Sequence, residues 1–492
     1  MHKKFIKNIS LILFLNLLIK PIWIFGFDRV VQNQVGVADY GFYFAVLNFS
    51  FLFNILLDFG IINFNNINIA QNNHLLRKHL SSIIVLKLIL GIIYLIITFI
   101  CAYFIKYSFD HLLFLILLAF QQFLISFIMY LRSNLSGLHL FKIDSFISIL
   151  DRLIMIPICA LFLWGNLPIK FTIGIYAAII TFGYLVTAII AMIIVFRKAK
   201  SKFLKLKWNF PFSLMIIRHS FPFAILVLLM TFYNRIDTVM LERMLPNGAE
   251  QSGVYASAYR LLDGTNMIAF LFAGMLLPIY ARMLKFKDNV EDMVKLSYTL
   301  LIVPALIIAA GSFFYNKEIM MLLYPKQKFE IAEIYNIRIH QSSVIFSILM
   351  GCFICISTMY IFSTLLTANK NLKQLNIIAG CGMIINITLN IFLIPRYQAI
   401  GSALASLTTQ FLVATTQVFY VQKIFRFKIN YKLLGLLLIF IIGIFIINYA
   451  SKNYLHFKWF VNFCIMIISC FILAFAIRII SIKAIYNILK YG

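Results

Sequence analysis

Residues Thr231–Arg282 read TFYNRIDTVMLERMLPNGAEQSGVYASAYRLLDGTNMIAFLFAGMLLPIYAR. This is the pattern of two apolar helices joined by a short polar hairpin, Glu242–Ser252. Each helix carries charge where a lipid-facing helix could not. Arg235 and Asp237 stand near the end of the first, and Arg260 and Asp263 lie inside the second. A charged side chain at bilayer depth costs about 2.5–3.5 kcal/mol on insertion scales, so such residues face a bundle interior or a water-filled cavity. Arg260 and Asp263 are three residues apart, on one helix face and within mutual reach. A polar cavity inside a membrane bundle follows.

The rest of the chain agrees. Of its 492 residues, 63% are apolar and 12% charged, and apolar runs alternate with short charged breaks. Runs of about 20 apolar residues mark a polytopic helical membrane protein, all-α, and about fourteen such spans can be drawn. They start near residues 5, 41, 80, 110, 145, 171, 213, 253, 295, 339, 374, 398, 432 and 459. Period-2 alternation, the mark of a membrane barrel, is missing. The start, MHKKFIKNISLILFLNLLIKP, has a basic head and an apolar body without a small-residue cleavage site, and reads as an uncleaved first span. The longest expected outer loop is Tyr315–Arg338.

The formal charge of +27 invites a nucleic-acid reading, but sidedness explains it better. With the N-terminus inside, about 27 Lys and Arg fall in cytoplasmic segments and about 11 in outer loops. The densest cluster, Arg197–Lys207, lies on the cytoplasmic side. Anionic inner-leaflet lipid is its natural partner, and both termini are expected in the cytoplasm. The seven cysteines fall in apolar runs, and the Cys352/Cys355 pair lacks a second pair or a His ligand, so no metal site is expected. Phosphate-loop, HExxH and DxD motifs are absent, which removes the recognised ATPase, zinc-protease and metal-dependent sugar-transfer routes.

An internal repeat organises the spans. Asp39–Tyr43 (DYGFY) opens the second and Gln251–Tyr255 (QSGVY) the eighth, at an offset of 212. Pro168 precedes Gly174 as Pro395 precedes Gly401, and Tyr184–Ala188 lies opposite Phe411–Thr415, both at offset 227. The expectation is two six-helix lobes in pseudo-twofold repeat, residues 1–210 and 211–426, with two helices appended over 427–492. Repeats of this kind build transporters that rock around a midplane site. Prolines 21, 157, 222, 278 and 304 fall within spans and can kink them.

At 1.5 Å per residue, Lys20, Arg235 and Arg260 all sit roughly 9–11 Å below the outer surface. Arg152 lies nearer the middle beside Asp151, and Asp58 and Lys87 lie in the inner half. Three cations at one depth repel unless counter-charges or an anion stand among them, and Asp237 and Asp263 compensate only part. The cavity suits a large anionic head group.

At these residues the chain resembles a family. Tyr255–Asp263 (YASAYRLLD) with Leu277, Pro278 and Arg282 is similar to the Wzx-type oligosaccharide flippases of the multidrug/oligosaccharidyl-lipid/polysaccharide exporter superfamily. So are Ala368–Lys373 (ANKNLK), Asn386–Asn390 (NITLN), Leu393–Pro395 and Ala399–Ala403 (AIGSA). Asp28-Arg29, Tyr40–Tyr43, Leu57–Gly60 and Ile69–Gln71 extend the likeness to the N-terminus. The resemblance implies a fourteen-span bundle in a bacterial inner membrane and alternating access around a cavity lined by spans 1, 2, 7 and 8. It implies a substrate, an undecaprenyl-pyrophosphate-linked oligosaccharide repeat unit for O-antigen or capsule. Lys20, Arg29, Arg152, Arg235 and Arg260 would bind substrate, with Asp58, Asp237 and Asp263 available for ion coupling. Beyond H+ or Na+ no cofactor is expected, and no catalysis. A polysaccharide polymerase and a chain-length regulator are the implied protein partners. The alternatives are a cation-coupled drug exporter of the same superfamily, a membrane polymerase or ligase on the same lipid carrier, and a scaffold without transport.

Overall fold

The computed structural model describes residues 18–479, except 20, 63–64, 66–68, 70–74, 139, 166–167, 200–209, 328–329 and 428–429. Most of the first expected span, Lys20 and most of the basic cluster after Ala199 therefore lie outside the described residues. Every regular element among those described is helical. In lipid a backbone group has no water to bond, so a spanning segment must satisfy its own N–H and C=O groups. Among the described residues, eleven helices are long and apolar enough to cross a membrane.

The contacts divide the chain into two compact units, Met1–Gly253 and Val254–Gly492. In the first, a π-helical turn (Ile22–Asp28) runs into α1 (Arg29–Val35) and α2 (Val37–Leu52). Gly36 separates α1 from α2 at φ 100 and ψ 162, a region essentially closed to other residues. Then come α3 (Leu75–Phe104), α4 (Phe109–Gly137), α5 (Phe141–Trp164), α6 (Ile173–Lys198) and α7 (Phe210–Met244). The start of α8 (Gly248–Lys285) also belongs to this unit. Inside it α4 packs on α6, α5 on α6, and α7 on α2. The stripes that drive this are visible on α3. Leu86, Leu90 and Tyr94 recur every four residues and are buried, while Ile92, Ile96 and Ile100 recur at the same spacing and are exposed, which suits a lipid-facing side.

The helix begun by α2 breaks inside the first unit. Phe53 leaves the helical region, a 3₁₀ turn covers Asn54–Leu57, and Phe59 and Gly60 take positive φ. The break frees the Leu57 carbonyl, and Lys87 from α3 fills the gap. Its ammonium donates to the Leu57 oxygen at 2.8 Å, to Asp58 Oδ1 at 2.8 Å and to Ser126 Oγ at 3.0 Å. All three of its donors are used.

The second unit continues α8 and adds α9 (Glu291–Leu323), α10 (Ala332–Ala368), α11 (Leu372–Phe425), α12 (Tyr431–Asn453) and α13 (Trp459–Ala476). α11 is folded back on itself at Gln398, whose φ of 52 and ψ of −133 are not helical. Ser402 Oγ donates to Asn390 Oδ1 at 2.8 Å, yet twelve residues of straight helix would hold them about 18 Å apart. The two arms are the spans expected to start near 374 and 398. α12 and α13 share a core with α9, in which Tyr315, Phe440, Ile444, Met466 and Cys470 are buried.

One expectation needs correction. Tyr315–Arg338 is not a long outer loop: α9 continues to Leu323 and α10 starts at Ala332, leaving Tyr324–Ile331 as the connection. The polar residues read as loop sit on helix ends. From α10, Arg338 reaches back to Glu330 of the connection with both Nε and Nη2, at 2.8 and 2.9 Å. Burial pushes the Glu330 carboxyl up, but these bonds, one from the Gln327 amide and the nearby Arg338 and Lys326 charges outweigh it and hold the group below its usual range.

Candidate functional site

In the first unit the charges gather at the π-turn, at α5 and at α7. Asp28 ends the π-turn and is 2% exposed. Its Oδ2 accepts from Tyr40 at 2.8 Å and its Oδ1 from Tyr176 at 2.6 Å. Arg29 opens α1 and is half-buried; its Nε is buried and, among the described residues, without a hydrogen-bond partner. No ion pair involves it there either. Arg152, the second arginine that follows an aspartate, behaves differently. Its Nη1 is paired with Asp151 Oδ2, its backbone amide donates to Asp151 Oδ1 at 2.8 Å, and its guanidinium lies 5.6 Å from the Tyr184 ring.

Arg235 on α7 donates from Nη1 to Asn48 Oδ1 at 3.4 Å and stands 5.4 Å from the Phe51 ring. Asn48 is oriented by its own amide, which donates to Thr238 Oγ1 at 2.9 Å. Asp237, beside them in sequence, is 1% exposed. α2 and α7 thus carry a polar cluster of Asn48, Thr238 and the half-buried Arg235. Asp58 lies at the helix break instead, tied to Lys87 and accepting from the Gly60 and Ile62 amides at 3.1 and 3.3 Å.

In the second unit Arg260 Nη1 stands 3.9 Å from Asp263 Oδ2, with both side chains 20% exposed. That is a long contact for an ion pair. Lys20 lies outside the described residues. Cys352 and Cys355 are buried in α10, and no group of three His, Cys, Asp or Glu able to hold a metal occurs among the described residues.

Several polar residues here escape sequence reading. Asn48 is one polar residue in an apolar run, and Tyr40 and Tyr176 read as ordinary core aromatics. Only the Asn386–Asn390 pair carries a local signal, two amides four residues apart in an apolar helix. Both are fully buried, and Asn390 Nδ2 donates to the Asn386 carbonyl at 3.0 Å.

A family described as "Polysaccharide biosynthesis protein" matches residues 5–284. No curated protein matches in sequence. Among solved structures, the lipid II flippase MurJ in an inward closed conformation aligns with a TM-score of 0.68 and 16% identity, over 98% of this chain and 99% of that one. An inward-facing multidrug resistance MATE transporter of the MOP superfamily gives 0.56 and 14%, over 82% and 96%. A MOP superfamily transporter from Pyrococcus furiosus, described as having a binding pocket of reverse polarity, gives 0.58 and 13%, over 85% and 94%.

Proposed function

The chain belongs to the polysaccharide biosynthesis protein family, and from that premise we propose that it flips an undecaprenyl-pyrophosphate-linked oligosaccharide across a bacterial inner membrane. It is a transporter of the MOP fold rather than an enzyme. The repeat unit, of O-antigen or capsule type, enters from the cytoplasmic leaflet and leaves in the periplasmic one, by alternating access of the lobes 1–210 and 211–426. The observation that carries this reading is Arg29, a half-buried guanidinium whose charge no described residue answers. A planar, two-pronged donor of this kind suits phosphate oxygens. Arg152, Arg235 and Arg260 add cations inside apolar helices, and Lys20 is assigned the same role from its position in sequence. A cationic drug would meet repulsion from this set, and the short Tyr324–Ile331 connection offers little room for the outer catalytic loop of a polymerase. The likeness to MurJ, a flippase of lipid II, supports a lipid-linked sugar as the substrate class. Anionic lipids are the proposed partners of the cytoplasmic basic segments, and a polymerase with its chain-length regulator would take the product.

The test is flipping of a labelled lipid-linked oligosaccharide in proteoliposomes, with complementation of a flippase-deleted strain. Arg29→Ala and Arg260→Ala are expected to lose on the order of 10-fold or more in rate at near-normal protein level. Arg29→Lys and Arg260→Lys keep a point charge and should retain partial activity. Full activity in both alanine variants rejects a substrate role for these cations.

A further inference from the structure

We propose that the break at the end of α2 is a monovalent-cation site that the chain fills with its own Lys87 ammonium, and that it takes up an alkali-metal ion or a small alkylammonium once that side chain is removed. The inference goes beyond the substrate reading above and does not depend on it.

The break makes the site. After Leu52 the helix gives way to the 3₁₀ turn Asn54–Leu57, and Asp58 at φ −123 and ψ −46 and Phe59 at φ 42 carry the chain out of helical geometry. Unwound carbonyls of interrupted membrane helices are a recurrent way to hold Na+. Here the Leu57 carbonyl, Asp58 Oδ1 and Ser126 Oγ converge on one point, and all three are oxygens, the donors that hard cations take. At that point stands Lys87 Nζ, at 2.8, 2.8 and 3.0 Å from them. An ordinary ion pair would need the carboxylate alone. Two of these acceptors are neutral, and one is the backbone carbonyl that the break frees. Ser126 gives its own proton to the Leu57 oxygen at 3.1 Å, so it meets Lys87 as an acceptor. Three acceptors call for three N–H groups, which an ammonium has and a neutral amine lacks.

The oxygens are held by bonds that Lys87 does not make. Asp58 accepts the Gly60 amide on Oδ2 at 3.1 Å and the Ile62 amide on Oδ1 at 3.3 Å, which fixes the carboxylate to the backbone beyond the break. Asn54 Nδ2 donates to Gln122 Oε1 at 2.9 Å and braces the 3₁₀ turn against α4, one turn before Ser126. On α3, Leu86 and Leu90 are buried with Lys87, and Tyr94, two turns on, donates to the Ser50 carbonyl at 2.9 Å. Truncating Lys87 to alanine therefore leaves a walled space that ends in three fixed oxygens, with room for a small cation and water. In the native chain the tethered ammonium repels any second cation from the same oxygens. The break is thus held to α3 and α4 at every Na+ concentration, and ion coupling has to act elsewhere in the chain.

The experiment measures the melting temperature of purified full-length protein in detergent at equal ionic strength. The chloride salts are those of sodium, potassium, methylammonium and, as the cation too large to enter, choline. Lys87→Ala should melt a few degrees higher in at least one of the three small ions than in choline, beyond any difference that wild type shows. The gain should grow with the logarithm of ion concentration. Lys87→Met removes the charge but fills the space, and should show no such excess. Lys87→Ala/Asp58→Asn removes the carboxylate and should lose it. If Lys87→Ala cannot be purified in choline it is prepared in the small ions, and recovery there alone reads the same way. The proposal is overturned if Lys87→Ala shows no excess in any of the three ions or fails to fold in all four salts. It is equally overturned if Lys87→Met responds as strongly, or if Asp58→Asn leaves the response intact. In each of those cases Lys87 is a structural ion pair and nothing more.

Discussion

Lys87 is 1% exposed, yet each of its ammonium protons has an acceptor. A buried cation is tolerated only on such terms, and removing one partner of a buried pair costs more than the pair itself contributes. Lys87→Met would leave the Leu57 carbonyl with Ser126 alone and Asp58 without its counter-charge. We expect a loss of about 3 kcal/mol, toward the low end because the Asp58 side chain is 21% exposed and partly solvated. Thermal denaturation in detergent measures it, and adding Asp58→Asn should recover part of the loss. Equal stability of Lys87→Met and wild type rejects the account. Charges in apolar runs were legible in the sequence at residues 58, 87, 152, 235, 237, 260 and 263, and Arg29 only through the family resemblance. Their partners were not. Tyr176 is 148 residues from Asp28 and Asn48 is 187 from Arg235, and a contact across such a distance leaves no local periodicity to read.

At the scale of elements, the repeat at offset 212 acquires a physical reason. Gly41 and Gly253 are the equivalent glycines of its two copies, and they meet. A Cβ on Gly41 would overlap the Ala249 carbonyl oxygen and lie 2.5 Å from the Gly253 nitrogen. A Cβ on Gly253 would overlap the Val37 carbonyl oxygen. Each glycine thus sits over the carbonyl four residues before the other, the arrangement that a local twofold relation between the two helix starts produces. Gly41→Val is therefore expected to force the starts of α2 and α8 apart. The measurement is a disulfide cross-link between cysteines introduced at Ala38 and Glu250, both near the contact in sequence. Its yield should fall several-fold in Gly41→Val relative to the Gly41 background, and an unchanged yield shows that the close approach is not needed. Helix boundaries were less legible than the repeat. The Tyr315–Arg338 segment reads as loop because its charges interrupt the apolar run, but α9 and α10 carry those charges on their own ends. The π-turn has no compositional mark at all.

For the whole molecule the open term is what drives the substrate outward. The chain carries no recognised nucleotide-binding motif, and an inside-negative potential favours outward movement of an anion by about 2.3 kcal/mol per charge per 100 mV. A carboxylate that trades a proton or Na+ against substrate could add to this bias, and of the three carboxylates proposed for this role Asp58 and Asp237 belong to the first unit. Their settings differ. Asp58 is committed to Lys87 and to the Gly60 and Ile62 amides at a helix break, so protonating it would dismantle that joint. Asp237 is buried on α7, two residues from Arg235 in sequence, where a change of its charge acts on the helix that carries a proposed substrate cation. Coupling is therefore expected to run through Asp237. In proteoliposomes with pH, Na+ and voltage imposed separately, wild type should flip faster when an ion gradient is added to a fixed voltage. Asp237→Asn should keep the voltage response and lose the gradient response. Asp58→Asn should lower the amount of folded protein while leaving the gradient response of what remains. If wild-type flipping is indifferent to every ion gradient at fixed voltage, coupling through these carboxylates is wrong and the membrane potential alone drives the outward step.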